Sequence, residues 1–345
     1  MFILYHFRQN AKALKVFFCY NNYMKYFYTL LALLCVVPCF AQEESRLFVA
    51  PGRETYVHFP TKAFGEKYTL RVYLPEVETQ KAQKYPVIYV LGLEKDFREA
   101  VKKYLEHNSA LVVWVDFKPS DFEADKENIV QFFAQELLPY IDVNYFTFDT
   151  PEKRILAVYG EPAAKVAAEL LQKPNLFNFA SFSKAQNGLE TLKMLPAYAR
   201  VSVSGTQRDL ALAERALEKA GARLGTGFTL HYDDGQKEIL QDVDLNYFFA
   251  PAAQLVPVKL QAFLSENKLL LETGKMARLQ VVASLKNKMV SSYVPESLRI
   301  SPPFLEWDAL NGTLRVRSGA EAGKVKISAD AANLRFKTGL KLKKP

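Results

Sequence analysis

Beyond Ala41 the sequence contains no cysteine: all three, Cys19, Cys35 and Cys39, come before it. Disulfides, thiolate catalysis and cysteine-ligated zinc are thereby excluded together for residues 42–345. Histidine is almost as scarce, with His58, His107 and His231 the only three after that point. A general base or a metal site therefore has few residues to draw on. The acidic pairs Asp233-Asp234 and Asp242/Asp244 are accompanied by neither a histidine ligand nor a D-x-D-x-D-G loop, so they read as surface-loop acids. Neither a metal nor a cofactor is expected. Short Lys/Arg blocks interleaved with aromatics are also missing, which argues against a nucleic-acid partner. No internal repeat or low-complexity segment is visible.

Long apolar runs are lacking too. The run from Tyr26 to Val37 is too short to span a membrane comfortably. It follows Met24-Lys25 and leads through Pro38 to Cys39 and Ala41, which would occupy the −3 and −1 positions of a secretory cleavage site. A lipoprotein signal through Cys39 is disfavoured because Pro38 stands where a small residue is wanted. Residues 1–23 then precede a natural start at Met24. The expectation is a signal peptide and an exported chain, in contact with the membrane only before cleavage. A disulfide-free exported protein of this size suits the periplasm or cell surface of a Gram-negative bacterium, and the "CFAQEES" exit suggests Bacteroidota.

What is present is globular in composition, 49% hydrophobic and 24% charged. The formal charge of +8 is unevenly spread. Residues 258–345 hold 16 Lys/Arg against 7 Asp/Glu, whereas residues 42–257 hold 25 against 30. This sign change near Pro257 supports a domain boundary there. The expected organisation is 1–41 upstream segment and signal, 42–257 one large domain, and 258–345 a small one.

From Tyr68 to Asp209 short apolar strands alternate with amphipathic helices. "YTLRVYLP" alternates with period two, as an early antiparallel strand would. "YPVIYVLGL", "ALVVWVDF", "RILAVYG", "FNFASFS" and "ARVSVSG" read as strands buried on both faces, and "FTLHYDDG" as the last strand. "DKENIVQFFAQELLPYIDVNY" and "LALAERALEKAG" carry helical spacing. Together these predict an α/β class with a mostly parallel central sheet. After Leu255 short strands are separated by Gly, Pro and Asn, and Asn311-Gly312 is a hairpin signal. They predict a small all-β sandwich with Trp307 as its core aromatic.

"KRILAVYGEPAAKVAAELLQ" is built like the strand, sharp turn and helix that present a nucleophilic serine. The surrounding run, from "FFAQELLPYIDVNY" to "PNLFNFASFS", resembles the esterase family of α/β-hydrolases that includes enterochelin-type and S-formylglutathione-type enzymes. Phe133, Glu136, Leu137, Pro139, Tyr140, Ile141, Asn144 and Tyr145 match that family's helix before the nucleophile strand. Arg154, Gly160, Pro174, Leu176, Phe177 and Ser183 match its pattern from that strand onward. The resemblance covers roughly residues 60–250 and implies an α/β-hydrolase fold. Residues 258–345 resemble bacterial immunoglobulin-like modules at the level of strand pattern.

The departures fall on the chemistry that the resemblance implies. Where the family has G-H-S this chain has Gly160-Glu161-Pro162, followed by the small Ala163, so the nucleophile is replaced by a residue without a side-chain donor. Gly92-Leu93 stands at the oxyanion loop, Gln236 where the base histidine belongs, and Asp209 near the place of the triad acid. His58 and His107 read as structural or solvated. His231 lies on the strand leading to the base loop, and Ser181, Ser183 and Ser204 lie at strand ends. The expectation is an enzyme body without its chemistry, binding a cell-envelope protein or glycan through the old cleft or the sandwich. The alternatives are an active carboxylesterase rearranged around Ser181 or Ser183 with His231, and a purely structural subunit.

Overall fold

The computed structural model describes residues 54–344 apart from 65–66, 76–83, 93–96, 116, 118–125, 185, 234–242 and 332. The expected signal segment, Leu93 and Gln236 lie outside the described residues.

Eight strands form the central sheet: β1 (Glu54–Pro60), β2 (Lys67–Tyr73), β3 (Val87–Leu91), β4 (Leu111–Val115), β5 (Arg154–Tyr159), β6 (Phe179–Ser183), β7 (Arg200–Gly205) and β8 (Phe228–Tyr232). Their spatial order is β1-β2-β4-β3-β5-β6-β7-β8. β2 runs antiparallel to β1 and β4, and β3 to β8 are parallel. This is the strand order of the α/β-hydrolase fold. Every residue of β3 and β4 is buried, as a strand covered on both faces requires.

The helices are α1 (Phe97–Leu105), α2, α3 (Glu161–Gln172), α4 (Gln207–Lys219) and the short α5 (Leu245–Phe249). α2 runs through Lys126–Gln131, a π-helical turn Phe132–Leu137, and Leu138–Asn144. The wide turn has a local cause: Pro139 has no N–H for the Gln135 carbonyl, and its ring would press on it. On one face of the sheet Leu156, Val158, Phe182 and Val203 pack with α2, α3 and α4. On the other, Ile155, Ala157 and Phe179 pack with α5, whose Phe248 stacks on Phe179 at 5.3 Å. Arg200 donates to the carbonyls of Tyr247, Phe248 and Ala250, satisfying the C-terminal end of α5.

The residues that carry the family resemblance have packing tasks. Glu136 accepts from the backbone N–H groups of Lys62 and Ala63, tying α2 to the turn after β1. Arg154 pairs with Asp142 and donates to the Asn175 carbonyl, joining β5, α2 and the loop before β6. Tyr89, Phe133 and Phe177 meet edge to face between them.

After α5 the chain builds a β-sandwich. β10 (Lys268–Leu270), β17 (Leu334–Lys343), β16 (Gly323–Ala331) and β13 (Arg299–Ser301) form one sheet. β12 (Val290–Tyr293), β11 (Met276–Leu285), β15 (Thr313–Val316) and β14 (Leu305–Asp308) form the other, with β9 (Pro257–Leu264) also pairing β11. β11 alternates buried and exposed residues, and Leu279, Val281, Val325, Ile327 and Leu340 fill the space between the sheets. Trp307 does not. It is half-buried on β14, and its indole N–H donates to the Pro295 carbonyl; the buried aromatic is Phe336. An indole needs an acceptor, and the purely apolar centre holds none.

The sandwich closes the β8 edge of the central sheet. Ser291 Oγ, on β12, accepts from the Leu230 N–H at 2.8 Å. Val294 N–H donates to Glu214 Oε2 at 2.8 Å. At the β14–β15 turn Gly312 (φ +63°) packs closely on the Gln207 side chain: a Cβ there would lie 2.8 Å from Gln207 Cγ, which would have to shift. The expected hairpin glycine is thus needed twice, for its backbone and for its contact with α4.

Candidate functional site

β5 ends at Tyr159, Gly160 takes φ +81° and ψ 160°, and α3 begins at once with Glu161. Pro162 stands in the first turn of that helix, where a missing N–H leaves no carbonyl unsatisfied. Its ring fixes φ at about −65°, so position 162 cannot take the strained left-handed conformation in which an elbow serine rides. The positive φ of this turn is at Gly160, whose added Cβ would meet nothing within 4 Å. Glycine is required there for its torsion alone. Glu161 occupies the first helical position, where a carboxylate favours the helix dipole. Ala163 is buried.

Gly92, the described half of the oxyanion-loop remnant, follows β3 with φ +80°. A Cβ on it would lie 2.1 Å from the Tyr159 carbonyl oxygen and 3.3 Å from Ala163 Cβ. β3 and β5 flank the point where the strand order reverses, the place at which α/β sheets open a crevice at their carboxyl ends. At Gly92 the two strand ends touch backbone to backbone.

Asp209 is engaged in a capping box on α4. Its Oδ2 accepts from the Thr206 N–H at 2.9 Å and from the Thr206 hydroxyl at 2.7 Å, and its own N–H donates to Thr206 Oγ1 at 3.4 Å. That is a helix-starting role. Asp244 similarly accepts from the Asn246 N–H at the head of α5. Asp233 is buried and its N–H donates to the Gly205 carbonyl. Asp234 and Asp242 lie outside the described residues.

The strand register brings the serines and His231 together in rows. Tyr159, Ser183, Ser204 and His231 are cross-strand neighbours on β5, β6, β7 and β8, and so share one face. One turn of the pleat back, Ala157, Ser181, Ser202 and Thr229 form the next row. Ser204, rather than Ser181 or Ser183, is therefore beside His231. Its hydroxyl is buried and has no hydrogen-bond partner, so it is not bonded to the imidazole. His231 Nε2 lies 3.3 Å from Thr229 Oγ1, two residues back along its own strand. Ser181, Ser183 and Ser204 are all buried. His58 is exposed on β1, 3.4 Å from Thr69 Oγ1, and His107 is exposed after α1.

One pair escaped the reading of the sequence. Lys184 Nζ donates to the Tyr159 hydroxyl at 2.9 Å across the ends of β5 and β6. Lys184 has φ +50°, unusual for a side-chain-bearing residue, and nothing in "FSKA" signals it. The pair places a cation beside the turn that lacks a nucleophile.

No protein-family model and no curated protein matches the chain. Solved structures do. Its structural neighbours include esterases. An uncharacterised protein from Capnocytophaga ochracea is similar at a TM-score of 0.42 and 17% identity, over 57% of this chain and 64% of that one. A CE1 ferulic acid esterase from Anaeromyces mucronatus is similar at 0.42 and 14%, over 57% and 88%. Enterochelin esterase from Shigella flexneri is similar at 0.43 and 15%, over 54% of each chain. The chain thus spans less than two thirds of the Capnocytophaga protein and about half of the Shigella enzyme.

Proposed function

We propose that this chain is an exported, non-catalytic relative of the esterase-like α/β-hydrolases that works by binding a partner or ligand in the envelope of a Gram-negative bacterium. The observation that carries it is the β5–α3 turn. A proline in the first helical turn supplies no nucleophile, and its locked torsion removes the strained apex that would present one. Asp209 is committed to capping α4, and His231 reaches Thr229 along its own strand. Triad chemistry needs a nucleophile bonded to a base and a base oriented by an acid; among the described residues Ser204, the serine beside His231 in the strand register, makes no hydrogen bond to it. Export rests on the sequence of residues 24–41 alone.

The second reading is a carboxylesterase rearranged around a strand serine. The row of Ser183, Ser204 and His231 favours it, because register alone makes Ser204 and His231 neighbours. Burial of both hydroxyls weighs against it.

Fluorophosphonate labelling of the purified protein separates the two, with the Pro162→Ser, Gln236→His double variant run in parallel. The native protein is expected not to label. Labelling mapped to a single serine would overturn the binding role. If the double variant labels, the hydrolase cleft is still shaped for the reaction; its silence beside a silent native protein agrees with a relaxed turn.

A further inference from the structure

The β8 end of the central sheet and the outer face of the sandwich enclose a hollow of about 520 Å³. That volume is in the range of sites for small ligands, which favour junctions between folded parts. One wall is the first turn of α4 with Gln207 and Arg208, together with Tyr232 at the end of β8. The other is read from the sandwich register. On β11 Arg278 and Gln280 point outward while Leu279 and Val281 are buried. Phe263 of β9 stands opposite Gln280, and Thr313 of β15 opposite Arg278, so these side chains share the outward face.

The described lining is basic. Among the described residues two arginines line it and no acidic residue does. Among the described residues neither guanidinium forms an ion pair. The positive end of the α4 dipole adds to the same sign. Two apolar rings are left in water at this place, Tyr232 at 42% and Phe263 at 53% exposure. The two walls meet where Gly312 packs closely on the Gln207 side chain.

We propose that this hollow binds a small ring-bearing carboxylate. Arg208 and Arg278 take the carboxylate, Phe263 and Tyr232 lie against the ring, and the planar amides of Gln207 and Gln280 receive its hydroxyl groups. A guanidinium fork matches a carboxylate in plane, and the pairing is stronger than a neutral hydrogen bond. Aromatic faces with amides beside them suit the ring of an acidic sugar or of an aromatic acid, which share this chemistry. The proposal rests on the chain acting by binding. Labelling of a serine and an empty hollow would be separate failures, since the probe of the first does not involve the arginines.

The test is titration calorimetry of the purified protein with digalacturonate and, separately, with 4-hydroxybenzoate. At least one is expected to bind, with Arg208→Gln and Arg278→Gln each weakening it by about tenfold or more and added salt weakening it further. Phe263→Ala should weaken it as well, whereas Arg317→Gln, away from the hollow, should not. Binding of the first ligand alone assigns an acidic sugar, and of the second alone an aromatic acid. No binding of either at about 10 mM, binding indifferent to both arginine variants, or acetate binding as tightly as the ring acids would each overturn the proposal.

Discussion

Ser291→Ala tests how the sandwich holds the β8 edge. β8 is the last strand of the central sheet, and an edge strand leaves a row of backbone groups without a ladder partner. At Leu230, which is fully buried, that N–H is taken by the Ser291 hydroxyl at 2.8 Å. Ser291 is itself only 1% exposed, so water has no route to replace it. Truncation removes one oxygen and creates almost no cavity, and the dominant effect is a buried amide left unpaired. That penalty is about 1–3 kcal/mol, equivalent in a chain of this size to a fall of roughly 1.5–5 °C in the thermal midpoint. Calorimetry reads the midpoint, and native-state hydrogen exchange reads the Leu230 amide, whose protection should drop more than that of β5. Ser292→Ala, at a half-buried neighbour, should change neither. An unchanged midpoint together with unchanged Leu230 exchange would refute the claim that this hydroxyl stands in for a ninth strand.

Glu214, buried in α4 at the same junction, has its carboxyl pushed well above the usual range by burial, with the Val294 N–H pulling the other way. The unfolded chain therefore releases this proton first, and stability falls as pH rises from the unfolded value towards the folded one. Glu214→Gln keeps an acceptor for Val294 and removes the titration, so its thermal midpoint should decline less between acid and neutral pH; parallel profiles would contradict this. Gly92→Ala should destabilise by about 3 kcal/mol or more, since strained torsion and a clash act together, whereas Gly160→Ala meets only the torsion and should lose about 1–2 kcal/mol. Urea midpoints for the two variants measure the difference, and equal losses would mean that the contact of Gly92 with Tyr159 is not tight.

Much of the fold was legible because its signals are local. Strands such as "VIYVL" and "LVVWV" must be apolar on both sides in a parallel sheet, and they read so without any partner in view. The hairpin at Asn311-Gly312 announced itself by turn chemistry, but its second duty, contact with Gln207, depends on a residue more than a hundred positions away. Trp307 lies at the margin of the core it was expected to fill, for a related reason. Composition says that an indole is large and apolar, and only the assembled strands show that the acceptor for its N–H lies at the periphery. The rows of serine and threonine on β6, β7 and β8 were likewise out of reach, since register between those strands decides which residues stand side by side. Lys184 was missed because a left-handed lysine has no compositional mark.

Residues that make a family visible in a sequence need not be those that perform its chemistry. Here Glu136 holds the turn after β1, Arg154 binds Asp142, and Phe177 closes an aromatic cluster with Tyr89 and Phe133. Each is explained by a contact that folding requires whether or not a substrate is ever bound. A resemblance built on such positions speaks for the scaffold and is silent on activity. Pro162 illustrates how the two could part at little cost: in the first turn of α3 a proline fits the helix, whereas a strained apex costs about 1–3 kcal/mol. On the reading proposed above, a turn without a nucleophile to present can adopt an ordinary helix start.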